Sequence, residues 1–188
     1  MQIIGGIASR IKIDVPKGFS VRPTLACSRK ALFDSIGNFE GLTVADFFSG
    51  SGALGLESAS RGAENVYFIE NLATNCRLIS GNIQKVEKAG AVFKSEVICA
   101  EVISSFDRIP SPDIVFADPP YQESLELLGE LLSDAKFAEW ARNTLIVWEL
   151  PDSRNESLNS LLSHSQSWQM LKKRRYGTAE FVFLRECP

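Results

Sequence analysis

The stretch Asp46-Phe47-Phe48-Ser49-Gly50-Ser51-Gly52-Ala53-Leu54-Gly55 decides the fold. It closes an apolar run over residues 42–48 and opens a helical pattern over residues 53–60 that ends at Gly62. A strand that turns through glycines straight into a helix is the first half of a β-α-β unit. Gly50 and Gly52 let the backbone approach a ligand closely, and positive φ costs them little. The helix that follows points free N–H groups back at the turn, where a negative charge is favoured.

The same alternation continues on both sides. Residues 66–70 read as a second strand ending at Glu70, and residues 72–85 as a helix. A strand near residues 92–99 and a weak helix over 101–106 follow. Ile114–Ala117 is a fourth strand, residues 124–134 a helix, residues 144–150 a fifth strand and residues 156–164 a helix. Residues 168–175 and 179–185 flank Tyr176-Gly177-Thr178 and predict a final hairpin. On the other side, residues 1–24 read as short strands around Gly5-Gly6 and Pro16-Lys17-Gly18, and residues 28–36 as a helix stopped by Gly37. Alternating strand and helix predicts an α/β fold, with a mostly parallel sheet, right-handed crossovers and helices on both faces. In such sheets ligands bind beyond the carboxyl ends of the strands. The glycine turn, Glu70 and Asp118 all fall at those ends, so one cleft can hold all three.

Asp118-Pro119-Pro120-Tyr121 follows the fourth strand directly. Two prolines cannot continue a sheet ladder, because neither has an N–H to donate. They make a stiff corner that offers a carboxylate, fixed carbonyl oxygens and a flat aromatic face. That set suits an exocyclic amino group on a planar base: the oxygens accept its two N–H bonds and the ring stacks on the base. The plainer reading is a strand-end turn with a surface tyrosine. Glu70 ends its strand 20 residues after Gly50, where a carboxylate can accept bonds from ribose hydroxyls. Gly50, Gly52 and Gly55 also fit the dinucleotide pattern G-x-G-x-x-G, so an NAD-dependent oxidoreductase competes, as does a tight turn with packing glycines. Asp46 at the strand end would repel a pyrophosphate but tolerates a zwitterion. S-adenosylmethionine meets these needs, with a ribose for Glu70, an ammonium for the acidic neighbourhood and a carboxylate for backbone N–H groups.

Bulk properties narrow the class. The chain has 188 residues, 45% of them hydrophobic and 23% charged, which is ordinary for a globular protein with a sizeable core. No apolar run approaches the roughly 18 residues of a membrane span. Residues 1–6 lack the basic start and apolar core of a signal peptide, so a cytoplasmic location is expected. Cys27, Cys76, Cys99 and Cys187 are widely spaced, and His164 is the single histidine, which predicts thiols and no metal centre. Net charge is −3, yet residues 1–40 carry six basic residues against three acidic ones, and Lys172-Lys173-Arg174-Arg175 is a basic run. If the two ends meet in space they form a positive footprint for phosphates; the plain alternative for such a run is a solvated surface.

Asp46 to Gly52, Glu70 and the Asp-Pro-Pro-Tyr corner, in that order, resemble the S-adenosylmethionine-dependent amino-methyltransferases with a D-P-P-Y signature. Ile3-Ile4-Gly5-Gly6, Arg22-Pro23-Thr24 and Arg29-Lys30-Ala31-Leu32-Phe33 narrow the resemblance to the bacterial 16S ribosomal RNA guanine-N2 methyltransferases (RsmD-like). Gly52-Ala53-Leu54-Gly55-Leu56-Glu57, Ser60-Arg61-Gly62-Ala63 and Tyr176-Gly177-Thr178 also match, so the similarity spans nearly the whole chain. It implies a Rossmann-like class I methyltransferase fold over residues 1–188 as one domain, with residues 1–40 as an extension that helps bind RNA. It further implies transfer of a methyl group to N2 of a guanine in 16S ribosomal RNA, naked or in an assembling small subunit; a monomer is expected. Asp118 and the Pro119 carbonyl would accept the amino N–H bonds, Pro120 would stiffen the corner, and Tyr121 would stack on a flipped or unpaired base. Asp46, Phe48, Ser49, Gly50, Gly52, Glu70, Asn71, Ala100 and Glu101 would surround the cofactor. Glu101 or Ala100 stands where the family carries an aspartate near the adenine. Arg10, Lys12, Arg22, Thr24, Arg29, Lys30, Lys172, Lys173, Arg174 and Arg175 would grip RNA, although Ala8-Ser9-Arg10-Ile11 is less basic than the family pattern. Phe47 and Trp148 read as core. A DNA adenine-N6 methyltransferase and a non-catalytic RNA-binding scaffold remain the alternatives.

Overall fold

The computed structural model describes residues 1–16, 23–150, 155–164, 167–177 and 179–187. Along the chain run α1 (Pro23–Ile36), β1 (Thr43–Phe47), α2 (Ala53–Ser60), β2 (Asn65–Glu70), α3 (Ala73–Lys88) and β3 (Lys94–Cys99). Then come β4 (Ile114–Ala117), α4 (Ser124–Ser133), α5 (Ala135–Trp140), β5 (Leu145–Leu150), α6 (Asn155–His164), β6 (Trp168–Tyr176) and β7 (Ala179–Glu186). The seven strands form one sheet in the order β3-β2-β1-β4-β5-β7-β6. β1 to β5 are parallel, and β7 and β6 close the edge as an antiparallel hairpin. The order reverses between β1 and β4, and that reversal opens a crevice beyond the strand ends.

Period-two alternation divides the sheet between two cores. Phe116 and Val147 of the central strands join Phe181 and Phe183 of β7 on one face, covered by Leu32 and Phe33 of α1, Leu56 of α2 and Ile79 of α3. Ala45, Phe47, Ala117 and Trp148 turn to the other face, under Leu128 and Leu131 of α4, Phe137 of α5 and Leu158 of α6. Helices therefore cover both faces, as the alternation predicts. Phe47 and Trp148 are core residues. Trp140 stacks on Phe47, and Trp168 gives its indole N–H to the Leu132 carbonyl at 3.1 Å.

The N-terminal segment is a small hairpin, with Gln2 bridged to Lys12 and the Ile3 and Ile13 N–H groups bonded to the Ile11 and Met1 carbonyls. Glu57, fully buried in α2, accepts the Ile4 and Gly5 N–H groups at 2.7 and 2.8 Å and the Arg61 Nε–H at 2.9 Å. One carboxylate thus pins the hairpin to the helix behind the glycine turn. Pro16 closes the described part of that segment; the Lys17-Gly18 turn lies outside the described residues.

Three elements differ from their sequence expectation. α1 begins at Pro23 rather than Ser28, since proline suits a first helical turn. Residues 101–105 are not helical; a 3-10 turn over Phe106–Arg108 begins at the last residue of the expected helix and buries Phe106. α5 was not expected: Asp134 accepts the Lys136 N–H at 2.7 Å and restarts the chain as a helix one residue after α4. All four cysteines are thiols. Among the described residues no helix is long and apolar enough to cross a membrane, and no cluster of His, Cys, Asp and Glu could hold a metal ion.

Candidate active site

β1 ends in a sharp change of direction. Phe48 holds φ at +55°, a left-handed value that side chains rarely adopt, and Gly50 and Gly52 follow at +54° and +74°. Side chains and main chain around the turn lock it. The Ser49 hydroxyl donates to the Asp46 carbonyl, and Glu70 reaches across from β2 to accept the Gly50 N–H at 2.8 Å with one oxygen and the Leu72 N–H at 2.9 Å with the other. Asn82 of α3 donates to the Ser51 carbonyl at 3.0 Å while holding the Asp14 N–H and carbonyl, so it couples the turn to the hairpin. Gly55 has a packing reason: a Cβ there would lie 2.4 Å from the Phe68 ring. Its N–H bonds an Asp46 carboxylate oxygen at 2.8 Å. Asp46 is buried, and desolvation holds its carboxyl well above the usual range against that bond, with Asp118 and Glu70 adding to the rise.

The corner after β4 is set by its neighbours. Register pairs Ala117 with Trp148, so the next residues, Asp118 and Glu149, lie side by side on the opposite face from that pair. The Tyr121 hydroxyl donates to Glu149 Oε1 at 2.9 Å, leaving its ring half exposed. Ser124 at the start of α4 donates to the Glu149 carbonyl at 2.9 Å and receives the Trp148 indole N–H at 2.9 Å. The Pro120 carbonyl is not a free acceptor, since it takes the Glu123 N–H at 3.0 Å in a turn; Pro119 is buried. Burial raises the Glu149 carboxyl to about 8, with the neighbouring Asp118 adding to it. Burial also raises Asp118 to about 6, opposed by its contact with Glu149. Asp118 is open to solvent through the cavity, so the rise is fullest once a ligand fills that space.

Glycine turn and corner open on one cavity of about 220 Å³, lined by Asp46, Phe48, Ser49, Gly50, Asp118 and Glu149 and roofed by α1 and the hairpin. A Cβ on Gly50 would meet only the Phe48 carbonyl oxygen, at 3.9 Å, so glycine keeps the space before the turn open. Beside it, Asn71 donates to Glu101 Oε1 at 3.0 Å, and the Ala100 N–H bonds the Glu70 carbonyl at 3.0 Å, which groups the ends of β2 and β3. Of the expected cofactor and corner residues, Asp46, Phe48, Ser49, Gly50 and Asp118 line this cavity; Gly52, Glu70, Asn71, Ala100, Glu101, Pro119, Pro120 and Tyr121 are not in its lining, and Glu70 joins it through its bond to the Gly50 N–H. The sequence reading missed Glu149 and Asn82, although a lone acid inside the apolar run Leu145-Ile146-Val147-Trp148-Glu149-Leu150 was a visible signal.

The expected RNA-binding residues separate. Arg29 is buried: it lies 3.9 Å from Glu57 and donates to the Gln2 carbonyl and the Met1 sulfur, so its role is internal and its expected surface grip is corrected. Desolvation lowers its pKa, and its Nε finds no hydrogen-bond partner among the described residues. Lys172 lies 4.2 Å over the Phe183 ring and Lys173 pairs with Glu180 at 2.6 Å, which ties both to the sheet. Arg10, Lys12, Lys30, Arg174 and Arg175 are exposed. Arg22 and the side chain of Thr24 lie outside the described residues. The two chain ends do meet: Ser28 of α1 bonds the Tyr176 carbonyl at 2.5 Å, and Lys172 bonds the Ser35 carbonyl at 3.3 Å.

The ribosomal RNA small subunit methyltransferase D of Escherichia coli K12 is 29% identical over 190 aligned positions, covering 99% of this chain and 90% of that protein. Its namesake in Haemophilus influenzae is 28% identical over 189, covering 96% and 91%. Among solved structures, a hypothetical protein of Thermus thermophilus superposes with a TM-score of 0.72 at 24% identity, covering 98% of this chain and 99% of that one. The ribosomal protein L11 methylase of Lactobacillus delbrueckii superposes at 0.70 with 15% identity, covering 96% and 88%, which is a likeness of fold. The family described as conserved hypothetical protein 95 matches residues 1–185, and the chain belongs to it, the RsmD family.

Proposed function

We propose that the protein methylates the exocyclic N2 amino group of a guanine in 16S ribosomal RNA, using S-adenosylmethionine. The observation that carries this is the shared cavity: Asp118 at the corner and the glycine turn border the same space. The relatives' names supply the substrate class, ribosomal RNA of the small subunit. The chemistry of the corner supplies the finer statement about an amino nitrogen. Residues 1–188 act as one methyltransferase domain, and residues 1–40 extend it towards RNA.

The lining suits S-adenosylmethionine. Open space before Gly50 and the first N–H groups of α2 would take its carboxylate, Asp46 its ammonium side, Glu70 its ribose, and Asn71, Ala100 and Glu101 its adenine end. Glu70 already bonds two backbone N–H groups, so a ribose hydroxyl would share its remaining lone pairs. When bound, this cofactor supplies a methyl group on a positively charged sulfur, whose S–C bond breaks as the new N–C bond forms.

The protein's own task is to make a poor nucleophile react. The N2 lone pair of guanine is delocalised into its ring. Asp118 and the Pro119 carbonyl accept the two N–H bonds, draw the lone pair out of conjugation and aim it into the cavity. Tyr121 stacks on the base and fixes its plane. The displaced proton passes to Asp118. Positioning of this kind supplies much of the rate. Arg10, Lys12, Lys30, Arg174 and Arg175 hold the RNA backbone without choosing the base.

The test is transfer of labelled methyl from S-adenosylmethionine to small ribosomal subunits lacking the modification, followed by nucleoside analysis. Label in N2-methylguanosine is the expected result. Label in another nucleoside overturns the choice of atom, and no label on subunits or naked ribosomal RNA overturns the substrate.

A further inference from the structure

Glu149 belongs to no part of that mechanism, yet it is the best-held side chain at the corner. It sits at the end of β5, buried, with Oε1 taking the Tyr121 hydroxyl at 2.9 Å and its carbonyl taking Ser124. The register of β4 on β5 sets it beside Asp118, both line the same cavity, and each carboxyl feels the other. Two neighbouring carboxyl groups resist both being ionised in a partly dry site, because the like charges repel and neither brings a donor. One proton between them relieves that repulsion. We propose that Glu149 carries it, and that as a neutral acid it is the positioning residue of this site, donating to Asp118 while Tyr121 donates to it. Tyr121, Glu149 and Asp118 then form one chain of hydrogen bonds. It fixes the ring that stacks on the base and aims the carboxylate that accepts the amino N–H.

The surrounding charges favour this placement. Glu149 is the more enclosed of the two, while Asp118 opens on the cavity. Asp46 from β1 borders the same cavity as a third carboxyl, itself pushed up by burial, and brings no cation. Arg29 from α1 also borders it, but leans on Glu57. Across the sheet β7 sets Phe181 opposite Glu149, and the next acid, Glu180, is held by Lys173. The upward displacement of both carboxyls, to about 6 for Asp118 and about 8 for Glu149, agrees. The signs then follow. Turnover needs Asp118 ionised, so it falls as pH drops through about 6; it needs Glu149 protonated, so it falls as pH rises through about 8.

The inference rests on the methyltransferase reading and is tested beside it. The kcat and KM of Glu149→Gln and Glu149→Ala are measured across pH with unmodified small subunits. Glutamine mimics the neutral acid, so Glu149→Gln should keep kcat within about tenfold and lose the alkaline fall, while Glu149→Ala should lose about 10²-fold or more. A Glu149→Gln enzyme as dead as the alanine variant, beside an active parent, overturns the inference and leaves the methyltransferase reading standing. Infrared pH titration needs no turnover. The wild type should show one more protonated carboxyl at neutral pH than Glu149→Gln, and equal signals overturn the inference even if the parent methylates nothing.

Discussion

On the proposed mechanism, loss of the Asp118 side chain should separate binding from chemistry. It lines the cavity, and the bonds that hold the glycine turn run to Glu70, Ser49 and Asn82 instead, so Asp118→Ala should lower kcat by about 10²-fold or more while the cofactor Kd stays nearly constant. Isothermal titration beside single-turnover methylation checks it, and unchanged turnover would refute the role. Glu70→Ala should do the reverse. It leaves the Gly50 and Leu72 N–H groups without their acceptor, and at about 1–3 kcal/mol for each such group the cofactor Kd should rise by at least tenfold. At this scale the corner and the turn were legible because each is written in contiguous residues. Glu149 was not, because its partner Asp118 becomes a neighbour only through the register of β4 on β5. Arg29 was misread for the same kind of reason. Whether an arginine of an amphipathic helix faces water depends on what waits behind it, and here that is Glu57, from a helix more than 20 residues away in sequence.

The elements themselves followed the apolar periodicity closely, β4 and α2 to the residue. Their ends carry glycines or short polar runs, which are local signals. α5 escaped because its start depends on one Asp134 cap and its stability on Phe137 and Trp140 packing on Phe106, contacts no local pattern announces. The hairpin is the element held least by its own ladder and most by a borrowed side chain. Glu57→Ala removes the acceptor for Ile4, Gly5 and Arg61 and strands Arg29 beside it, at a cost of about 3–5 kcal/mol. For a chain of this size that lowers Tm on the order of 10 °C. Hydrogen exchange should locate the loss: amides of Ile4 and Gly5 should open well before those of β1 and β4. Uniform loss of protection through the sheet would mean that Glu57 supports the core and not the hairpin.

Across the whole molecule the net charge is −3, and the proposed substrate is a polyanion; the fold brings the two basic chain ends together. α1 packs along β6 through the Ser28 and Lys172 bonds, so cations distant in sequence share one region beside the crevice. Acids stand among these cations, Asp34 beside Lys30 and Glu180 beside Lys173, while Asp46, Asp118 and Glu149 line the cavity. If this region is the RNA footprint, its contribution is electrostatic and must fade with salt. Arg10 on the hairpin and Arg174 on β6 test whether the two ends act as one surface. Each alanine substitution should raise KM for small subunits and reduce the slope of log affinity against log salt by about 0.7–0.9. The double variant should reduce it by about twice that, with kcat at saturating RNA and the cofactor Kd little changed. Slopes equal to the wild type in both single variants would place the RNA on another face, and a loss confined to Arg174 would restrict the footprint to the C-terminal hairpin.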